Sequence, residues 1–265
     1  MNAPIDRRVL FRSAPNFRDL GGLPVDGGSV ARGQVFRSAS LGHLDDAELP
    51  AFEGLGIGVV FDLRTEGERT SEPDRLPAAV RLIGLDVLAD SKADIVAAIG
   101  QLRSNPAAVN ELLGGGAVQR MLADSYRDIV GLPSARTAYR ALFLELANAE
   151  RSGGALFHCT AGKDRTGWAA ASLLMLLGAD EQTIHADYLQ TNEDLLPALE
   201  PVILSAAASG VEPELLRDAF GVRLSYLDTA LDELETRFGS AERYFHEGLG
   251  LSSATIDALR SRLVA

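Results

Sequence analysis

The apolar positions of this chain follow two patterns, short continuous runs in some places and helical spacing in others. The short runs are "GQVFRSA" at 33–39, "IGVVFDLR" at 57–64, "VRLIGLDVL" at 80–88 and "GALFHC" at 154–159. They are rich in Val, Ile, Leu and Phe and are flanked by Gly or charged residues, which is typical of strands. Helical patterns lie between and after them. The sequence therefore predicts an α/β fold with a small central sheet flanked by helices.

Residues 90–131 form a less regular stretch between two of the predicted strands. "SKADIVAAIGQLRSNP" and "AVQRMLADSYRDIV" each place apolar residues at helical spacing, and the glycines Gly114–Gly116 lie between them. Two amphipathic helices joined by a flexible hinge are expected here, either as a mobile lid or as part of the outer shell. Because no repeat and no low-complexity linker divides the chain, residues 1–265 are predicted to be a single domain.

The chain after residue 168 is predicted to be wholly helical. Its helical patterns are separated by Gly or capped by Ser, Thr, Asp or Asn. They are "ADEQTIHADYLQT", "NEDLLPALEPVILSAAA", "RLSYLDTALDELETRFG" and "SATIDALRSRLV".

Composition limits the partners and the compartment. The formal net charge of −12 argues against nucleic acid and against an anionic membrane surface as the main partner. The first residues, "MNAPIDRRVLFRSAP", carry arginines without an apolar run behind them, and no apolar run is long enough for a membrane span. The expected location is the cytoplasm, or outside the cell by a route that needs no recognisable signal peptide. The oligomeric state is not indicated.

The stretch "LFHCTAGKDRTGW" at 156–168 contains the single cysteine of the chain, which cannot form an intrachain disulfide. A strand runs into His158 and Cys159, and the strongly apolar "TGWAAASLLMLL" predicts a buried helix from about Thr166. Residues 159–165 then make a tight turn from strand to helix. Backbone N–H groups in such a turn can point inward, and the helix N-terminus adds partial positive charge. The turn is therefore predicted to bind a phosphate-sized dianion.

The side chains of this turn suit phosphoryl transfer. Cys159 lies at the base of the N–H groups, where the thiolate, which is the nucleophilic form, is favoured. Arg165 follows one turn later, and its planar fork can hold two phosphate oxygens. Gly162 permits a backbone conformation closed to other residues. Thr166 can place a hydroxyl near the sulfur when the sulfur becomes a leaving group. The predicted phosphate-binding set is Thr160, Ala161, Gly162, Lys163, Asp164 and Arg165.

At these residues the sequence resembles the Cys-x5-Arg protein tyrosine phosphatase superfamily, and "HCTAGKDRTG" is similar to the loop of the atypical bacterial tyrosine and phosphoinositide phosphatases, the tyrosine phosphatase B group. Other stretches resemble that group as well: "NFRDLGG" at 16–22, "GQVFRSA" at 33–39, "DLRTEGE" at 62–68, "DYLQTNE" at 187–193 and "GSAERYFHEGLGLS" at 239–252. The resemblance implies a protein tyrosine phosphatase-like fold, a cysteinyl-phosphate intermediate, no metal or other cofactor, and a two-helix lid.

The general acid is less well defined by the sequence. The Trp-Pro-Asp loop that carries it in familiar tyrosine phosphatases is missing, because the sole tryptophan is Trp168, inside the predicted helix. Asp164 lies in the turn itself and resembles the aspartate of myotubularin-type loops, so it is the favoured candidate. Asp62, at the C-terminal end of a predicted strand with Arg64, is the alternative, although these two side chains could equally form an ion pair that holds a loop.

Several further residues are assigned from their setting. Lys163 resembles the loop lysine of phosphatases that act on inositol lipids, where a second cation faces a second phosphate. His158 is expected to be buried and to support the loop, Trp168 to lie in the core, and His185 to be at or near the surface. A structural turn is predicted for Asn16, Arg18 and Asp19.

These observations predict a cysteine-dependent phosphatase for phosphotyrosine and also for phosphoinositides or phosphoserine and phosphothreonine. A primarily phosphoinositide-directed enzyme is the alternative within that class. Two alternatives come from other classes, a non-catalytic phosphate-binding module and a thiol-based sulfur or arsenate enzyme. Intact Cys159 and Arg165 argue against the first, and the absence of a second cysteine argues against the second.

Overall fold

A computed structural model describes residues 6–91 and 106–265. The central sheet contains the short strand β1 (Arg18–Asp19), then β4 (Val35–Ser38), β5 (Ile57–Asp62), β6 (Arg81–Gly84) and β7 (Gly154–His158). Its order is β1-β4-β7-β5-β6, and β4, β7, β5 and β6 run parallel while β1 is antiparallel to β4. A separate hairpin pairs β2 (Pro24–Val25) with β3 (Gly28–Ser29). All the strands predicted from the sequence are confirmed.

The parallel register brings three chemically important strand ends together. His158 at the end of β7 is the pairing partner of Ser38 on β4 and of Asp62 on β5. The carboxyl ends of parallel strands meet at one edge of a sheet, which is where α/β folds place their sites. The turn that follows His158 therefore begins at the centre of this edge.

Helices cover both faces of the sheet. They are α1 (Leu49–Gly54), α2 (Glu66–Ser71), α3 (Pro106–Leu113), α4 (Ala117–Gly131), α5 (Pro133–Ala147), α6 (Arg165–Leu177), α7 (Glu181–Ala208), α8 (Pro213–Phe220), α9 (Leu224–Phe238), the short α10 (Ala241–Arg243), a π-helical turn Tyr244–Gly248 and α11 (Ser253–Leu263). This arrangement confirms the predicted mixed α/β class with a central sheet flanked by helices.

The larger core lies on the face of the sheet covered by α4, α5, α6 and α9, and Trp168 on α6 is fully buried within it. The smaller core on the opposite face packs four phenylalanines, Phe11, Phe17, Phe36 and Phe52, with aliphatic side chains. Because α6 is buried on almost every side, as its continuous apolar pattern predicts, its N-terminus is held firmly against the end of β7.

Helix α7 corrects one prediction. The patterns at 179–191 and 192–208 are not two helices, because one helix runs from Glu181 to Ala208 with Pro197 and Pro201 inside it. Thr191, at the expected boundary, is buried and accepts a hydrogen bond from Arg18. Tertiary contacts therefore hold the helix continuous where the sequence suggested a break. Helix α8 is an element that the sequence analysis did not predict.

The predicted lid is only partly covered by the described residues, because most of its first helix falls within residues 92–105. The glycines 114–116 do separate two helices, α3 and α4. The last turns of α4 belong to the large core, where Tyr126, Ile129 and Val130 are fully buried. Helix α3 and the start of α4 pack instead in a separate cluster with Ile203 and Leu216. A lid function remains a prediction, and within the described part of this stretch α3 and the start of α4 lie outside the large core.

No helix among residues 6–91 and 106–265 is long and apolar enough to cross a membrane.

Candidate active site

The turn between β7 and α6 has the shape expected of an anion-binding loop. Gly162 adopts φ +67°, and a Cβ there would lie only 2.2 Å from the carbonyl oxygen of Ser38, so no other residue fits. Cys159 is buried at the base of the loop, with 3% of its surface exposed. Within the described part of the chain, the backbone N–H groups of residues 160–165 donate to no protein acceptor. These donors remain available to a ligand at the N-terminus of α6.

The carbonyl groups of the loop are turned away from that ligand position and are held from behind. Asn16 donates from Nδ2 to the carbonyls of Ala161 (3.2 Å) and Gly162 (2.9 Å). Arg37 donates from Nη2 to the carbonyl of Gly162 at 2.8 Å. Asn16 is the one described non-glycine residue with a positive φ, +61°. Its unusual backbone is thus used to reach the loop, which is a contact that the prediction of a simple structural turn missed.

Behind the loop lies a buried charge cluster, here called the inner network, formed by Asp187 on α7 with Arg18, Arg37 and Arg7. Asp187 Oδ2 accepts from Arg37 Nη1 at 2.7 Å, and Oδ1 accepts from Arg18 Nε and Arg7 Nη2, each at 3.0 Å. Arg18 and Arg37 are fully buried. Burial alone would raise the pKa of Asp187, but the three guanidinium groups outweigh it and hold this pKa well below its usual range.

The guanidinium of Arg165 is held at the mouth of the loop by a residue that the sequence analysis did not single out, Glu68. The two side chains form a bidentate pair with distances of 2.6 and 2.8 Å, here called the outer pair. Thr160 also donates to Glu68. Desolvation would raise the pKa of Glu68, yet its bonds to Arg165 lower this pKa well below the usual range. The sequence does contain a signal that would have drawn attention to Glu68, since Thr65-x-x-Glu68 forms a capping box at the start of α2.

The side chains of Asp164 and Lys163, neighbours in the loop, form an ion pair. Lys163 Nζ donates to Asp164 Oδ1 at 2.9 Å and approaches the carbonyl of Gly221 at 3.4 Å. Tyr126 on α4 donates to the same Asp164 oxygen at 2.9 Å. Lys163 is 6% exposed, so it is not an ordinary surface lysine pointing into solvent. The structure thus brings Cys159, Lys163, Asp164 and Arg165 into one site.

Asp62, the alternative general acid, lies beneath the site rather than in it. Both of its carboxylate oxygens accept hydrogen bonds from Arg64, at 2.7–3.1 Å, and it is 1% exposed. Desolvation is outweighed by these bonds and by His158, so the pKa of Asp62 is lowered. Arg64 also donates to Asp74 at 2.9 Å, and Asp74 pairs with His158 Nε2 at 2.9 Å. The contacts of Asp62 and Arg64 are those of the ion-pair alternative, and a supporting role for His158 remains a prediction.

The carboxylates and the imidazole of this cluster lie close enough for a metal, since ligand atoms of Asp62, Asp74 and His158 are within 4.8 Å of one another. Arg64 donates to both carboxylates, however, and a fixed guanidinium between them does not suit a cation. These residues therefore do not fit a metal site.

Four other predicted residues have clear positions. Thr166 is fully buried, and its hydroxyl has no hydrogen-bond partner in the described ranges. Trp168 donates from Nε1 to the hydroxyl of Tyr244 at 3.1 Å, deep in the core. The side chain of His185 is 20% exposed on α7. Asp19 holds a turn, as predicted, by accepting from the N–H groups of Gly21 and Gly33.

A Cys-x5-Arg loop at the carboxyl ends of parallel strands, with N–H donors that bind no acceptor in the described ranges, defines a class of protein, the phosphate-binding enzymes of the tyrosine phosphatase type. Comparison with known proteins identifies the family. Residues 9–265 match the tyrosine phosphatase family, and the chain belongs to it. The protein is accordingly a protein tyrosine phosphatase, as the resemblance of its motifs predicted.

Two relatives with similar sequences agree with this assignment. The triple specificity protein phosphatase PtpB of Mycobacterium tuberculosis is 32% identical, over 94% of this chain and 96% of its own length. A protein of Cupriavidus necator named as a tyrosine-protein phosphatase is 31% identical, over 94% of this chain and 86% of its own. Among solved structures, P. aeruginosa TpbA in complex with phosphotyrosine is 19% identical and covers 83% of this chain and 98% of its own, with a TM-score of 0.37.

Proposed function

We propose that this phosphatase hydrolyses phosphotyrosine and also phosphoinositides or phosphoserine and phosphothreonine, through a cysteinyl-phosphate intermediate. The observation that carries the proposal is a set of backbone N–H donors at residues 160–165 that bind no acceptor among the described residues, with Cys159 at their base and Arg165 at their rim. Donors that are already oriented toward developing charge stabilise a transition state without reorganisation. The name of the relative PtpB, a triple specificity phosphatase, supports a substrate range beyond phosphotyrosine.

The proposed chemistry has two steps. In the first, the Cys159 thiolate attacks phosphorus, the P–O bond to the leaving group breaks, and Asp164 gives that oxygen a proton. In the second, Asp164 takes a proton from water as the water oxygen attacks phosphorus, and the S–P bond breaks to restore the thiolate. The buried hydroxyl of Thr166 is available to donate to the departing sulfur. Arg165 and the N–H groups hold the equatorial oxygens in both steps.

Asp164 is preferred over Asp62 as the general acid because of its surroundings. The side chain of Asp164 is 22% exposed at the rim, within reach of a substrate, whereas Asp62 is buried with both oxygens bound to Arg64. A general acid must lie within hydrogen-bond reach of the leaving oxygen. We therefore propose that Asp62 acts indirectly, by fixing Arg64 and through it the Asp74–His158 pair behind Cys159.

Replacement of the nucleophile tests the covalent mechanism. Cys159→Ser should lower turnover of an aryl phosphate below about a thousandth of wild type, while inorganic phosphate still binds, because the loop donors and Arg165 remain. Steady-state hydrolysis and calorimetric phosphate binding measure the two effects. Hydrolysis by the wild-type protein should survive a chelator. Turnover that persists in Cys159→Ser, or that a chelator abolishes, would contradict thiol catalysis, and an inactive wild type would favour a binding module.

The second candidate, an enzyme directed first at phosphoinositides, is favoured by one observation, the position of the Lys163 ammonium within the loop, 2.9 Å from the partly exposed carboxylate of Asp164. A cation there can pair with a second phosphate, which multiply phosphorylated inositides have and a phosphotyrosine peptide lacks. Lys163→Ala should therefore reduce hydrolysis of such inositides much more than hydrolysis of the peptide, and Lys163→Arg, which keeps the charge, should restore part of the difference. Equal losses on both substrates would mean that Lys163 serves the loop itself.

A further inference from the structure

Asp164 is joined to the interior of the protein by two tyrosine hydroxyls on different helices. Tyr126 on α4 donates to Asp164 Oδ1 at 2.9 Å, and the hydroxyl of Tyr188 on α7 lies 2.5 Å from that of Tyr126. Tyr126 and Tyr188 are 0% and 1% exposed, and their rings meet edge to face. The contact therefore connects the rim of the site to two helices of the large core.

The direction of this hydrogen-bond chain follows from counting protons. A tyrosine hydroxyl has one proton, and Tyr126 uses it on Asp164, so Tyr188 must donate to the oxygen of Tyr126. Burial, followed by the charge of Asp164, raises the pKa of both tyrosines well above the usual value, so both hydroxyls keep their protons at neutral pH. The chain runs from Tyr188 to Tyr126 to Asp164 Oδ1.

The two oxygens of Asp164 are consequently different. Oδ1 accepts from Tyr126 and from Lys163 Nζ, each at 2.9 Å. Oδ2 accepts no hydrogen bond from the described residues. A carboxyl group that acts as an acid carries its proton on one oxygen, and an oxygen that already accepts two hydrogen bonds is the poorer place for it.

We propose that Tyr126, supported by Tyr188, is a positioning residue for the general acid: it fixes the Asp164 carboxyl so that Oδ2 gives its proton to the leaving group and later takes one from water. This inference rests on the acid role of Asp164 proposed above. During the first step the O–H bond at Oδ2 breaks as the leaving oxygen gains the proton, and during the second step the same oxygen receives the proton of water. The bonds from Tyr126 and Lys163 persist at Oδ1 in both protonation states.

Tyr126→Phe removes only the hydroxyl that positions Asp164. Because positioned proton transfer contributes about 10²–10⁴ in rate, we expect kcat for a phosphoserine peptide, whose leaving group is an alkoxide, to fall about tenfold or more. Hydrolysis of p-nitrophenyl phosphate, whose phenol leaves without help, should fall less than about twofold, and KM should be unchanged for both. The matched control is Tyr226→Phe, which removes a buried hydroxyl that has no partner within the described ranges and lies on the ring next to Tyr126. That control should behave like wild type with both substrates.

A double-mutant cycle separates positioning from general loosening of the structure. In an Asp164→Asn background no proton remains to be positioned, so adding Tyr126→Phe should cause no further loss. An additive loss, or a wild-type leaving-group dependence in Tyr126→Phe, would overturn the inference. If Asp164→Asn itself shows no leaving-group dependence, the proposed acid is wrong, which is a distinguishable failure. Should Tyr126→Phe not fold, as judged by thermal unfolding, Tyr188→Phe must show the same selective loss to a smaller degree, and its absence would count against the proposal.

Discussion

The two charge clusters that hold the phosphate-binding loop use the same chemistry in different surroundings. The inner network places Arg18 and Arg37 on Asp187 behind the loop, and the outer pair places Arg165 on Glu68 at its mouth. The side chains of the inner network are 0–2% exposed, apart from Arg7 at 10%. Those of the outer pair are 11% and 12% exposed. Because the two clusters differ in solvent access, they are suited to different roles.

The inner network is suited to stability and to a fixed loop. Its guanidinium groups outnumber the carboxylate that they share, and desolvation together with the charge of Arg18 lowers the pKa of Arg37 to about 10. Arg37 and Asn16 nevertheless hold the carbonyl of Gly162, and Arg18 holds Asn16. Loss of Asp187 would leave the buried guanidinium groups of Arg18 and Arg37 without the carboxylate that they share, which is strongly destabilising.

The outer pair is suited to catalysis. In the proposed mechanism Arg165 donates hydrogen bonds to the oxygens of a substrate, so its protein partner has to orient it from the side without sealing it from solvent. Glu68 does this while it also closes the cap of its own helix through Thr65. The same guanidinium–carboxylate pairing can thus stabilise the fold where it is buried, or orient a residue of the site where it is partly exposed.

The substitution Asp187→Asn gives the strongest test of the difference between the two clusters. Removal of one partner from a buried ion cluster typically costs about 3–5 kcal/mol, so we expect a loss of that size in the free energy of unfolding, measured by urea denaturation. Glu193→Gln, on the same helix but 72% exposed in its contact with Arg8, is the control and should change stability by less than about 0.5 kcal/mol. Similar small losses in both variants would remove the distinction between inner and outer charges.

The inner network also predicts how the stability of the folded protein depends on pH. The pKa of Asp187 is depressed in the folded protein, so its contribution to stability is complete above the ordinary aspartate value of about 3.9 and is lost as the pH falls. Asp187→Asn should therefore be less stable than wild type at neutral pH, and its stability should decline less steeply under acid conditions.

The loop itself could be predicted from the sequence because its geometry is local. A strand, a short turn and a buried helix are adjacent in the chain, and the spacing from Cys159 to Arg165 determines which groups face a ligand. The helix begins at Arg165, one residue before the expected start. Trp168 and His158 could likewise be assigned from the pattern around them.

The contacts that the inner network and Asn16 make behind the loop could not be predicted in this way. Asn16, Arg18, Arg37 and Asp187 come from three stretches that resemble the family, yet nothing in local spacing says that they meet behind one loop. Their convergence depends on the order of the strands and on the continuous helix α7, which the sequence suggested was broken. Tyr126 was missed for the same reason, since it lies in the predicted lid while its hydroxyl reaches Asp164.

A smaller effect on stability, but a visible one on activity, is expected from Glu68→Gln. Glutamine can still close the capping box with Thr65, so the substitution chiefly removes the charge that orients Arg165. Because the pair is partly open to solvent, the free energy of unfolding should change by less than about 1 kcal/mol. Misplacement of a catalytic group by about 1 Å can cost about 10²-fold in rate, so kcat/KM for phosphotyrosine peptide should fall by about 10- to 100-fold.

Glu66→Gln, an exposed neighbour on α2, is the charge-matched control and should change neither quantity. If Glu68→Gln instead destabilises the protein as much as Asp187→Asn and leaves kcat/KM intact, the outer pair is a second scaffold, and solvent access does not separate the two clusters.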